Sequence, residues 1–371
     1  MTAVDLVTPA ASGRRGRVER FDTIVVGGGQ AGLSAGWHLQ ERDVDFVIVD
    51  AQRRLGDVWR NRWDSLRLFT PAKYSGLPGM PFPATPGHFP DKDEVADYLE
   101  RYAERFDLPV RSGTLAESLA HDGDRWVLRT SRGTLEANNV IVATGPFQRP
   151  KIPALAAQLD AGIDQRHSSA YCSPFDLPDG PVLVVGAGNS GAQITLDLAR
   201  HREVWLAGRD TGHLPRRLLG RDLFDWLWPL MQRFTLDTRL GQRMRDRARG
   251  GGDALIGIPE KTIVEAGVKR VGRIEGEQRG WPVADGVPIR PRAIVWCTGF
   301  VSDYSWIDAP VFDERGVPRH ARGVVAEAPG LYFLGLRFQH RMTSSLVGGV
   351  GHDAAYVAGE IARRAEQAMA G

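Results

Sequence analysis

Two glycine clusters share one spacing, Gly27-x-Gly29-x-x-Gly32 and Gly186-x-Gly188-x-x-Gly191. Each follows a short apolar run and opens a helical stretch, and each is followed eighteen residues after its third glycine by a charged residue closing a second apolar run. The first glycine of such a cluster makes the turn, the second admits a pyrophosphate, and the third lets helix pack on strand. The helix start, with Gln30 and Ala31 in one copy and Asn189 and Ser190 in the other, would offer N–H groups and positive potential to the phosphates.

The two closing residues differ in sign: "FVIVD" ends on Asp50, "EVWLAGRD" on Arg209. A carboxylate accepts hydrogen bonds from a ribose hydroxyl pair, whereas a guanidinium can hold a 2′-phosphate by charge-assisted bonds. Asp50 therefore points to FAD in the first site and Arg209 to NADPH in the second, with Arg216 and Arg217 placed to support the phosphate. A solvated surface arginine is the plain alternative at 209. Two dinucleotides in one chain suggest a redox relay in which NADPH delivers hydride to bound FAD.

Both clusters need βαβ units around them, and the pattern supplies these from Phe21 to Asp50 and from Gly180 to Arg209. Between the units, "PDKDEVADYLERYAERFDLP" places Val95, Tyr98, Leu99, Tyr102 and Phe106 on one helical face. "RWVLRT" and "TLEANNVIVATG" read as strands, the latter ending at Thr144-Gly145, and "AIVWCTGF" ends likewise at Thr298-Gly299. The expected fold is α/β with two Rossmann-like dinucleotide-binding domains. The FAD domain spans 21–160 and 291–371, with an NADPH domain inserted at 161–290. Residues 213–252, rich in arginine, leucine and tryptophan, interrupt the rhythm as a helical excursion. They admit three readings: a lid over the substrate, a solvated cap on the NADPH domain, or a basic surface that touches a membrane. Acidic residues and a proline place the membrane last.

Composition excludes several classes. Forty-seven basic against forty-five acidic side chains give no bulk charge for nucleic acid. Cys172 and Cys297 are the two cysteines and lie far apart, so a disulfide framework or dithiol redox centre is not expected. No metal-ligand cluster or nucleophile elbow is present in the sequence. Residues 1–20 lack the apolar core of a signal peptide and read as a disordered tail on a cytoplasmic protein. Oligomeric state stays open.

The stretch "LGDVWRNRWDSLRLFTPAKYSGLPG", with the two glycine clusters and the two Thr-Gly turns, resembles the class B flavoprotein monooxygenases. That group contains the flavin-containing, indole-pyruvate and Baeyer–Villiger monooxygenases, and the stretch is most similar to its CzcO-like bacterial members. The resemblance implies Trp59, Arg60, Thr70, Thr144, Gly145 and Gln339 near the flavin. It also implies a reaction: NADPH reduces FAD, dioxygen forms a C4a-(hydro)peroxide, and one oxygen passes to a small organic N, S or carbonyl substrate. In the fingerprint segment "AGIDQRHSSAYCSP", His167 and Tyr171 are kept while Ala161 and Ile163 stand in the Phe and Gly places. His167 is the sole candidate for a catalytic role. The altered fingerprint leaves an NAD(P)H oxidase or quinone reductase as the second reading, and a non-catalytic redox sensor as the third.

Overall fold

The computed structural model describes residues 18–250 and 254–370. Most of the expected N-terminal tail, residues 1–17, lies outside them. The chain lays down β1 (Glu19–Val26), β2 (Phe46–Val49), β3 (Val110–Arg111), β4 (Ala116–Asp122), β5 (Arg125–Thr130) and β6 (Gly133–Val142). It then leaves to form β7 (Asp164–His167), β8 (Val182–Val185), β9 (Val204–Ala207), β10 (Lys269–Val271) and β11 (Ala293–Trp296), and returns with β12 (Ile307–Asp308) and β13 (Leu331–Phe333).

The first sheet has the order β12-β4-β5-β6-β1-β2-β3, with β13 also on β6. β1 pairs in parallel with both β2 and β6, while β4, β5 and β6 form an antiparallel meander. The second sheet, β10-β9-β8-β11-β7, is parallel throughout. Its central strands, Val-Leu-Val-Val and Ala-Ile-Val-Trp, are wholly buried, as strands covered on both faces must be.

The helices explain the covering. α1 (Gln30–Gln40) packs on β2 and against the terminal helix. α2 (Lys92–Arg105) buries Val95, Tyr98, Leu99 and Tyr102, the face expected from the sequence, with Phe106 packed partly buried beside them. Burying each such side chain contributes about 1.5–3 kcal/mol. Asp91 and Glu94 close a reciprocal capping box at its start. α3 (Asn189–Leu198) serves the second sheet as α1 serves the first. The excursion contributes α4 (Leu223–Arg233) and α5 (Arg239–Gly250), and α6 (Gly351–Ala370) ends the described chain.

Two boundaries differ from expectation. Glu19 and Arg20, assigned to the tail, pair with Leu135 and Glu136 and extend β1. β11, placed after the return to the first domain at 291, pairs with β7 and β8 and belongs to the second sheet. Asp164–His167, inside the expected NADPH domain, is an edge strand of that sheet. Short apolar runs identify strands and leave their partners undetermined, because pairing is set by tertiary contacts.

Candidate functional site

β1 runs into Gly27, whose φ of +113° is a conformation that L side chains rarely adopt. A Cβ at Gly27 would stand 2.5 Å from the Ala143 carbonyl oxygen, and one at Gly32 would stand 1.8 Å from the Gly27 carbonyl oxygen. At Gly29, the N-cap of α1, nothing lies within 4 Å of the same position. No side chain caps α1 and no acid occupies its first turn. The result is a set of free N–H groups at the positive end of a helix, facing open space, which is the arrangement a pyrophosphate requires.

Asp50 sits beside this turn. One carboxylate oxygen accepts from the Gly28 N–H at 2.5 Å and the other from the Gln52 N–H at 2.7 Å. Each oxygen keeps a second acceptor site for a ligand hydroxyl. Gly28 was not singled out in the sequence, yet a Cβ there would come within 3.0 Å of that Asp50 oxygen.

The second turn repeats the first. Gly186 has φ +112°, its Cβ would meet the Cys297 carbonyl oxygen at 2.3 Å, and a Cβ at Gly191 would meet the Gly186 carbonyl oxygen at 1.8 Å. Gly188 caps α3 in open space, again without a capping side chain or first-turn acid. Ser190 is exposed, and Asn189 clasps the segment after the excursion: its amide donates to the Ala254 carbonyl and its oxygen accepts from the Ile256 N–H. Arg209 is exposed, with no carboxylate within 4 Å among the described residues. Arg270, absent from the sequence reading, donates to the Leu206 and Gly208 carbonyls and so fixes the strand end that presents Arg209.

Other expected residues are already occupied. Arg60 donates to the Leu55 carbonyl and pairs with Asp97 and Glu100 of α2, which fastens its helical turn to that helix. Gln339 is fully buried and bridges the Leu336 N–H and the Arg322 carbonyl, so it shapes its loop from within. Thr70 is buried and bonded to Ser75. Trp59 packs against the cores of both sheets and fills the seam between them. Arg216 donates to the Phe69 carbonyl at 2.7 Å and stacks 4.0 Å over Phe89, both in the first unit. Burial there lowers its guanidinium pKa.

His167 has both ring nitrogens engaged. Nε2 lies 2.9 Å from the Gly299 carbonyl and Nδ1 2.9 Å from the Ser169 hydroxyl, which fits a neutral ring carrying its hydrogen on Nε2. Burial lowers its pKa, opposed by the Gly299 bond. The histidine thus ties the end of β7 to the Thr298-Gly299 turn.

That turn belongs to the connection between the units. Phe300–Val301 pairs antiparallel with Arg149–Pro150, Lys151 donates to the Gly299 carbonyl, and the Thr298 hydroxyl donates to the Lys151 carbonyl. Gln148 is the residue that sequence reasoning missed. Its amide nitrogen donates to Thr144 and Gly145, and its oxygen accepts from the Asp303 N–H. A glutamine in a Pro-Phe-Gln-Arg-Pro loop carries no sequence signal of this role. Across the seam, Gln193 of α3 forms a two-way bond with the Arg67 backbone.

Comparison with known proteins agrees with this geometry. The family model for pyridine nucleotide-disulphide oxidoreductases matches residues 24–234. A CzcO-like oxidoreductase of Geobacillus kaustophilus is 43% identical over 347 residues, 92% of this chain and 98% of that protein. The rice indole-3-pyruvate monooxygenase YUCCA1 is 31% identical, covering 80% of this chain and 81% of its own. Among solved structures, a flavin-containing monooxygenase from Stenotrophomonas maltophilia superposes with a TM-score of 0.78 at 26% identity, covering 94% of this chain and all of that one. The chain belongs to the pyridine nucleotide-disulphide oxidoreductase family, in the branch of the CzcO-like oxidoreductases and flavin monooxygenases, and is an oxidoreductase whose cofactors are FAD and NADPH.

Proposed function

We propose that this oxidoreductase is an NADPH-dependent monooxygenase of a small organic substrate with a nitrogen, sulfur or carbonyl centre. The observation that carries the reading is the pair of matched, uncapped helix starts in open space, one beside an acid and the other near an exposed arginine. FAD would be held by Gly27, Gly29, Gln30, Ala31, Gly32 and Asp50, and NADPH by Gly186, Gly188, Ser190, Gly191 and Arg209. FAD held there would supply hydride acceptance from NADPH and transfer of one oxygen atom of dioxygen to the substrate, the other leaving as water.

The chain's own residues supply position. Amides at the start of α1 hold the pyrophosphate, and Asp50 orients the ribose while fixing the turn beneath it. The residue 145–151 and 299–303 ribbon, tied by Gln148 and His167, sets the distance between the units. Trp59 packs against the cores of both sheets, and the Arg67–Gln193 pair ties the two units across the seam. We assign the FAD domain to the strands of the first sheet and the NADPH domain to those of the second, with the ribbon as their boundary.

Electron delivery to a disulfide finds no support. Cys172 is exposed, whereas Cys297 is partly buried, with its thiol pushed up to about 12 by desolvation. The second reading, an oxidase or quinone reductase, draws on Ile163, which packs into the core of the second sheet where the fingerprint would have glycine.

The test begins with purified protein, which should be yellow and bleached faster by NADPH than by NADH. A panel of amines, sulfides, ketones and 2-oxo acids is then turned over under ¹⁸O₂. Labelled product accompanying NADPH consumption supports the proposal. Stoichiometric hydrogen peroxide without labelled product transfers the assignment to an oxidase, and protein that takes up no FAD rejects it at the first step.

A further inference from the structure

The excursion presents two apolar faces, and α4 uses only one of them internally. Its inner face buries Leu223, Phe224 and Trp228, with Phe224 stacked 6.1 Å from Phe69 and Trp228 4.9 Å from Tyr74. Its outer face carries Trp226 and Leu230, one turn apart and 41% and 46% exposed. An amphipathic helix in a globular protein sets polar residues opposite its core face, so a second apolar face marks an interaction surface.

A two-stranded hairpin extends this face. Arg217–Leu218 pairs with Arg221–Asp222, and the turn residues Leu219 and Gly220 both have positive φ, +51° and +77°. A leucine is a strained choice for that position. Leu219 is nevertheless 84% exposed, and Leu218 is 45% exposed. The hairpin is held to the helix by a 3.2 Å bond from the Trp226 indole N–H to the Leu218 carbonyl, with Arg221 5.6 Å over the Trp226 ring.

Charge identifies the occupant. Residues 213–250 carry nine arginines and four aspartates in a chain whose formal net charge is +2. The acids that made a membrane the last choice in the sequence are engaged elsewhere. Asp222 caps α4, Asp225 is bound by Lys73 and Tyr74, Asp237 is bound by His340, and Asp246 pairs with Arg245. Among the described residues, Arg217, Arg221 and Arg233 have no carboxylate within 4 Å, and all three are exposed. A second copy of the same patch would meet it with like charge. We propose that the hairpin and outer face of α4 form a peripheral docking surface for an anionic lipid bilayer. Leu218, Leu219 and Trp226 enter the headgroup region, and Arg217, Arg221 and Arg233 pair with lipid phosphates. No described helix is long and apolar enough to cross the bilayer, so the contact is confined to one leaflet.

Co-sedimentation of the full-length holoprotein with phosphatidylcholine vesicles, with and without phosphatidylglycerol, tests this. Binding is expected only with the anionic lipid, and release in about 1 M salt, where the screening length is roughly 3 Å. The double variant L218S/L219S should lower the partition coefficient about 10-fold. R221Q/R233Q should lower it roughly 30-fold. Flavin content and the rate of reduction by NADPH should be unchanged in both, which separates this proposal from the cofactor assignments. Absence of binding by the parent protein overturns it, as does equal binding to neutral vesicles or equal binding by both variants. A Leu219-dependent dimer formed without lipid overturns it in favour of a second copy.

Discussion

The two nucleotide-binding units superimpose in their logic and differ at one polar position. Ala143 stands to Gly27 as Cys297 stands to Gly186, each a carbonyl that leaves no room for a Cβ. Each is followed by a Thr-Gly turn entering the ribbon. Yet Asp50 is tied to its own glycine turn through the Gly28 N–H, whereas Arg209 reaches into solvent. The reason is chemical. A carboxylate accepts and can serve turn and ligand together; a guanidinium only donates and cannot hold a backbone N–H. The second unit therefore fastens its turn with Asn189 and its strand end with Arg270. Small residues are exchanged as well: Gly28 makes room for Asp50, while Gly208 makes room for Ala187.

The strongest challenge to this parallel is to break each turn separately. Gly32→Ala and Gly191→Ala both drive a Cβ into a carbonyl oxygen at 1.8 Å. Gly32→Ala should yield protein largely free of flavin, read from absorbance per chain. Gly191→Ala should keep flavin and slow its reduction by NADPH about 100-fold or more. Loss of flavin in both would show that the units are one cooperative site.

The sign difference is sharpened by Arg209→Ala. NADPH kcat/KM should fall about 10- to 100-fold, the worth of a charge-assisted bond, with NADH changed little. Equal losses with both would make Arg209 a surface residue. Asp50→Ala removes an acceptor from two N–H groups, so FAD affinity should drop roughly 10-fold alongside ~1–3 kcal/mol of stability. A titration and a urea melt of one sample measure both. If flavin affinity fell without any loss of apoprotein stability, Asp50 would act on the ligand alone.

The smallest contrast concerns acid. Desolvation pushes His38 of α1 down to about 4, and Arg42 adds to the effect, whereas α3 carries no histidine. A ring kept neutral when folded takes up a proton more readily when unfolded. Its contribution is full above the unfolded value of about 6.5 and is lost as pH falls through about 4. His38→Gln should flatten the fall in urea midpoint between pH 7 and pH 4.5. An unchanged slope would move acid sensitivity to other groups, His167 among them.

Legibility followed locality. The glycine clusters, Asp50, Arg209, the α2 face and the strands closing in Thr-Gly were readable because each depends on spacing within one element. The partners of Gln339, Arg60 and His167 were not readable, for the opposite reason. Those partners are Arg322, Asp97 and Gly299, and a chain pattern does not say which donor a distant carbonyl will meet. Gln148 was missed altogether, and the excursion was legible in charge but not in orientation.

The sequence by itself determined that there are two βαβ cradles of opposite terminal charge, since turn geometry and helix N-termini arise from neighbours along the chain. Tertiary structure alone decided that β11 belongs to the second sheet, that a glutamine and a histidine hold the ribbon, and that α4 turns Asp225 inward and Trp226 outward. Those outcomes rest on pairings between residues up to about 150 positions apart, which only packing can select.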